Sequence, residues 1–278
     1  MRYLLFLSLT LAVCFGFQTY ALNAVGGRTT KSESNFFSSI ARIQTGVGDN
    51  PRIMLLGSSM TGRFPDRSSG FDGVSSLGCD GSSAVDTLRA MDRGELPYAP
   101  ILVIEGNTFY RAVGSNKSEI AQAIASPWFE IGINTPQLSA SARPAAFAYS
   151  RLLAAKIGRS EGPDGRLLPV STKALVCTET QHLAKNEGHL ICEMEAIFMR
   201  LQNKGVKLMI VILPPGKSKD TPNVRLPAEI SRRTKVPLLD LTDSLPKDSV
   251  RFTDGVHMDP QSAAAALRTI LKALGELI

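Results

Sequence analysis

Blocks of lysine or arginine are missing from this 278-residue chain, as is any interleaving of aromatic residues with positive charge. Its net charge of +6 is spread thinly. Nucleic acid is therefore excluded as a partner, since such binding needs a concentrated basic face with stacking side chains. The charge favours at most a mild attraction to anionic polymers or lipid surfaces. Long apolar runs are also scarce: one stands at the N-terminus, and no second stretch of membrane-spanning length follows. Histidine is scarcer still, with 3 in the chain, and there are 4 cysteines. His182 and His189 fall between Cys177 and Cys192, but the spacing matches no familiar zinc arrangement. The segment reads as a polar surface loop, and neither a metal nor another cofactor is expected. Cys177 and Cys192 would close a modest loop in an oxidising compartment, though spacing alone does not pair them.

What is present begins with Arg2, the apolar stretch Tyr3–Phe17 and the small-x-small site Thr19-Tyr20-Ala21. That is the layout of an export leader cut after Ala21. The run is short for a bilayer span, which needs about 20 residues. The alternative is an uncut anchor ending near Val25. The first outcome makes the protein periplasmic or secreted. The second tethers it, with membrane contact confined to residues 1–25. Cys14 lies inside the apolar core behind Val13, which is not a small residue, so lipid attachment is rejected. Loss of residues 1–21 removes one charge, Arg2, and brings the net charge to +5. About 257 residues then remain, enough for one large α/β domain. The chain divides into the leader or anchor (1–21), an N-terminal extension (22–50) and a main domain (51–278). Within the extension, Phe36–Ile43 reads as a short helix.

Five short apolar runs bounded by turns predict buried parallel strands near 52–56, 74–77, 100–105, 206–213 and 236–241. Helical patterns alternate with them: one capped by Ser82 or Ser83, and one from Gln261 or Ser262 to about Leu274. The fold class expected is α/β, a three-layer α/β/α sandwich with a mainly parallel sheet. Residues 111–200 are too long for one crossover. Helices at 118–129, 145–157 and 187–202 predict a helical insertion that shapes substrate access.

Chemistry gathers at the strand ends. Gly57 closes the first strand and Ser58-Ser59 follow, where open α/β sheets carry their sites. A serine there is a candidate nucleophile, and a plain helix cap is the competing reading. Gly78 and Gly81 punctuate the loop after the second strand and allow a backbone N–H to approach a ligand. Asn107, past the third strand, is a candidate oxyanion donor or a simple turn residue. Glu105 is a candidate second acid, but it is expected to face solvent, as a charge at a strand end ordinarily does. Asp254-Gly255-Val256-His257 stands directly before the last helix. In such a turn the aspartate can hold one ring nitrogen while the other faces a hydroxyl.

Four blocks in this order resemble the SGNH (GDSL-like) hydrolase superfamily: Leu56-Gly57-Ser58-Ser59, Leu77-Gly78-Cys79-Asp80-Gly81, Glu105-Gly106-Asn107 and Asp254-Gly255-Val256-His257. They span residues 52–274, and 111–200 carries no motif. The resemblance implies a flavodoxin-like topology with Ser59 as nucleophile, His257 as general base and Asp254 orienting it. The Ser59 and Gly78 N–H groups and the Asn107 side chain would form the oxyanion hole. The chain departs from the pattern where the usual aspartate before the nucleophile is Ser58, the usual glycine two before the asparagine is Glu105, and Thr108 follows Asn107. With the export segment, the resemblance implies an O-acetyl esterase or O-acetyltransferase acting on cell-envelope or extracellular carbohydrate. Its partners would be an acylated carbohydrate or acyl donor and envelope polysaccharide machinery. A non-catalytic carbohydrate-binding protein on the same scaffold, or a lipid or small-ester carboxylesterase, are the alternatives.

Overall fold

A computed structural model describes residues 1–24, 31–115, 118–157, 180–214, 221–245 and 250–277. Five strands, β1 (Ile53–Ser58), β2 (Val74–Cys79), β3 (Ile101–Glu105), β4 (Lys207–Ile212) and β5 (Leu238–Asp240), form one sheet in the order β2-β1-β3-β4-β5. All four pairings are parallel, as continuous apolar runs require when helices cover both faces. This is the flavodoxin-like order, whose direction of winding reverses between β1 and β3. β1 runs one residue past Gly57, because Ser58 still pairs with Cys79. Expected to close the strand, Gly57 instead lies inside it, opposite Gly78.

Side-chain alternation sorts the sheet's apolar residues onto two covered faces. Met54, Leu56, Leu77, Leu102, Ile104 and Ile210 pack with helices α2 (Asn35–Gly48), α3 (Ala84–Asp92), α7 (Thr180–Asn203) and α8 (Pro222–Thr234). Leu55, Val103, Met209 and Val211 pack against α10 (Pro260–Leu277), which presents Ala263, Ala266, Leu267, Ile270 and Leu274 as one helical stripe. Each such aliphatic side chain contributes about 1.5–3 kcal/mol on full burial. The three-layer architecture follows. Helix α2 is capped by Ser34, whose hydroxyl accepts from the Phe37 N–H at 3.2 Å. It buries Ile40, Ala41, Ile43 and Val47 in the core, so part of the N-terminal extension belongs to the domain.

The described part of 111–200 is helical. α4 (Glu119–Ile124) and α5 (Pro127–Asn134) replace one longer helix because Pro127 starts a new first turn. α6 (Pro144–Ile157) and α7 follow, and a single turn, α9 (Leu241–Ser244), stands between β5 and α10. His182 and His189 both lie on α7 rather than in a loop; the run from Thr180 is rich in good helix formers. Cys177 falls outside the described residues, and no metal-binding group of His, Cys, Asp and Glu occurs among those described. Helix α1 (Arg2–Ala24) is 23 residues long and buries none of them. It has the length and apolarity of a membrane span or a signal sequence. Its Gln18 amide donates to the carbonyls of Gln137 at 2.6 Å and Ala142 at 2.9 Å.

Candidate active site

Two adjacent serines leave β1 in opposite senses. Ser58, the last residue of the strand, is 1% exposed, while Ser59 is half-buried and lies beyond the sheet. Glu105 explains what Ser58 does. This carboxylate at the end of β3 is 2% exposed, not solvent-facing as expected, because β3 lies between β1 and β4 and turns the side chain toward the β1 turn. Its Oε2 accepts from the Ser58 N–H at 2.8 Å, the Thr61 hydroxyl at 2.6 Å and the Thr61 N–H at 3.3 Å. Its Oε1 accepts from the hydroxyls of Ser58 at 2.8 Å and Thr108 at 3.2 Å. The Ser58 oxygen in turn accepts from the Met60 N–H. A Cβ on Gly57 would collide with the Thr61 hydroxyl and with Glu105, so this close approach requires glycine.

The second half of the site is a short loop ahead of α10. Phe252 and Met258 form an antiparallel bridge, and the Thr253 N–H donates to the His257 carbonyl at 2.8 Å. Gly255 turns the tip with φ +82°, a left-handed conformation that favours glycine. Asp254 Oδ1 accepts the backbone N–H groups of Val256 at 3.1 Å and His257 at 2.8 Å. Asp254 Oδ2 lies 2.6 Å from His257 Nδ1, and His257 Nε2 lies 2.9 Å from Ser59 Oγ. Nδ1 therefore carries the ring proton toward the carboxylate, an assignment inferred from the partners, and Nε2 is free to accept from the serine. Burial raises the Asp254 pKa, but the hydrogen bonds from His257 and Val256 outweigh it and hold the pKa at about 2. The carboxylate thus stays ionised beside the ring.

Ser59, His257 and Asp254, drawn from opposite ends of the sequence, meet at the carboxyl edge of β1. Asn107 is buried near the ends of β3 and β4, where its amide donates to the Leu213 carbonyl at 2.8 Å and accepts from the Leu213 N–H at 2.7 Å. One of its two amide hydrogens is spent on this clasp. Gly78 sits within β2, its Cα packed against the Gly62 backbone, and its carbonyl accepts from the buried guanidinium of Arg42 on α2. Gly81 is in the loop past β2 at φ +78°, with open space on its Cα. Cys79, beside Gly78, is fully buried, and burial pushes its thiol up to about 12, so it is no nucleophile. Sequence reasoning missed the part played by Glu105 and Thr61. The available signal was a carboxylate in the third block paired with a hydroxyl in the first. A cavity of about 680 Å³ beside α3 and α7 shares no residue with these groups, and its Arg89 is already paired with Glu193 at 2.7 Å.

A hydroxyl, an imidazole and an ionised carboxylate in this sequence of contacts can remove a proton from the serine as it attacks an electrophile. Compared with protein-family models, curated proteins and solved structures, the chain matches none.

Proposed function

We propose that the protein is a divergent SGNH-type serine enzyme that makes and resolves an acyl-serine intermediate. The observation that carries this reading is the 2.9 Å contact between Ser59 Oγ and an imidazole whose far nitrogen is held by Asp254. Ser59 Oγ attacks the ester carbonyl as His257 Nε2 takes its proton, and Asp254 stabilises the imidazolium. His257 then protonates the departing alcohol, leaving the acyl group on Ser59. Water or a sugar hydroxyl, deprotonated by the same ring, releases it. The oxyanion donors in this reading are the Ser59 N–H, the Gly78 N–H and the second amide N–H of Asn107. The substrates in this reading are O-acetylated carbohydrates of the cell envelope or extracellular space. The protein works outside the cytoplasm. Helix α1 serves export in this reading, as a leader cut after Ala21 or as a retained tether.

The test is incubation of the full chain with an activated acetyl ester, with and without oligosaccharide acceptors, reading free acetate and acetylated sugar. Acetate alone assigns an esterase, and acetylated sugar a transferase. Absence of turnover and of fluorophosphonate labelling at Ser59 would end the reading and leave a carbohydrate-binding protein.

A further inference from the structure

We infer that Glu105 is the positioning residue of the nucleophile turn, and that the two departures at 58 and 105 are one exchange: a carboxylate moved from β1 to β3. This rests on the reading of Ser59 as nucleophile. The Ser58 side chain points inward and its hydroxyl meets both Glu105 oxygens, at 2.8 and 3.0 Å. An aspartate at position 58 would aim its carboxylate into the space that Glu105 fills. With glycine at position 105 that space would be vacant. One carboxylate fits between the strands. Two would oppose each other, and none would strand the N–H groups of Ser58 and Thr61 in a buried site.

The groups that Glu105 holds flank Ser59 on both sides: Ser58 through its N–H and hydroxyl, Thr61 through its N–H and hydroxyl. Anchoring both ends of a four-residue span fixes the direction in which the Ser59 hydroxyl leaves the turn, and so its 2.9 Å approach to His257 Nε2. No Lys, Arg or His among the described residues forms an ion pair with Glu105. Its described polar partners are hydroxyls and backbone N–H groups of this turn and of Thr108.

The experiment compares wild type, Ser58→Asp, Glu105→Gly, the Ser58→Asp/Glu105→Gly double variant and Glu105→Gln, reading the rate of acylation by an activated acetyl ester, fluorophosphonate labelling of Ser59, and Tm. Each of the first two single variants should slow acylation by about 100-fold, the cost of a misplaced reacting group. Each should lower Tm by roughly 5–10 °C as charged hydrogen bonds are lost or like charges opposed. The double variant should recover most of both losses, folding even if a single variant does not. Glu105→Gln, close in size, should fold, because its oxygen can take the place that accepts both N–H groups; it should acylate about tenfold more slowly, because charge-assisted hydrogen bonds become weaker neutral ones. Losses that add in the double variant, or wild-type acylation by Glu105→Gln, would overturn the inference. An unlabelled wild type would instead sink the serine reading, and the Tm comparison alone would then decide whether positions 58 and 105 are coupled.

Discussion

Ser59 and His257 arrive at their 2.9 Å contact from two differently built regions. The serine side is buried and held by bonds that span the sequence: Ser58 and Thr61 to Glu105, and Asn107 to Leu213. The histidine side is partly exposed and local, with Asp254 bonded to residues two and three positions ahead and its side chain half in solvent. A region held by buried long-range bonds couples activity to folding, because one group serves both. A loop held by its own short turn can lose its chemistry and keep the fold.

The sharpest break of this comparison comes from the proposed reacting groups. Ser59→Ala or His257→Ala should cut turnover by about 10⁴–10⁶-fold with Tm nearly unchanged, and mass spectrometry should find the probe on Ser59 rather than Ser58. Undiminished turnover in Ser59→Ala would remove the serine mechanism. Next, Asp254→Asn should keep the turn, since its side-chain oxygen still accepts the two backbone N–H groups. It should lower turnover by up to about 10⁴-fold, because the ring loses its carboxylate. A large fall in Tm in this variant would contradict the local character of the loop.

Asn107→Ala should lower turnover by roughly 100–1,000-fold if its amide meets the oxyanion. Unlike the loop variant it should also lower Tm, since the Leu213 N–H and carbonyl lose their buried partner. A fall in Tm with full turnover would make Asn107 a structural clasp only.

The smallest effect is on pH dependence. Asp254, with a pKa of about 2 against an ordinary 3.8, remains ionised down to about pH 4. Its protonation should therefore leave no mark on the rate profile above about pH 4; an aspartate ionisation seen there would contradict an ionised Asp254. The stabilisation linked to Asp254 is present above its unfolded value and lost as pH falls through about 2, so acid unfolding, read by circular dichroism, should include this group only below about pH 4.

The legibility of each region follows the same division. The Asp254–His257 turn could be read from four adjacent residues, because its geometry is made by local hydrogen bonds and one glycine. The five strands could be read too, since burial on both faces leaves uninterrupted apolar runs such as Leu208–Ile212. Glu105 could not be placed. Whether a carboxylate at a strand end meets water or a buried turn depends on which strand lies beside it, and no local pattern carries that.

By itself, then, the sequence determined the parallel α/β class, the positions of the strands, the apolar N-terminal segment and the internal order of the Asp254–His257 turn. All of these depend on spacing, burial pattern and near-neighbour bonds. The tertiary structure alone decided that Ser59 Oγ comes within 2.9 Å of the imidazole, that α2 completes the core and that Glu105 sits beneath the turn. The last of these comes from β1 and β3 lying side by side in the sheet, which brings residues 58 and 105 into contact across 47 positions of chain.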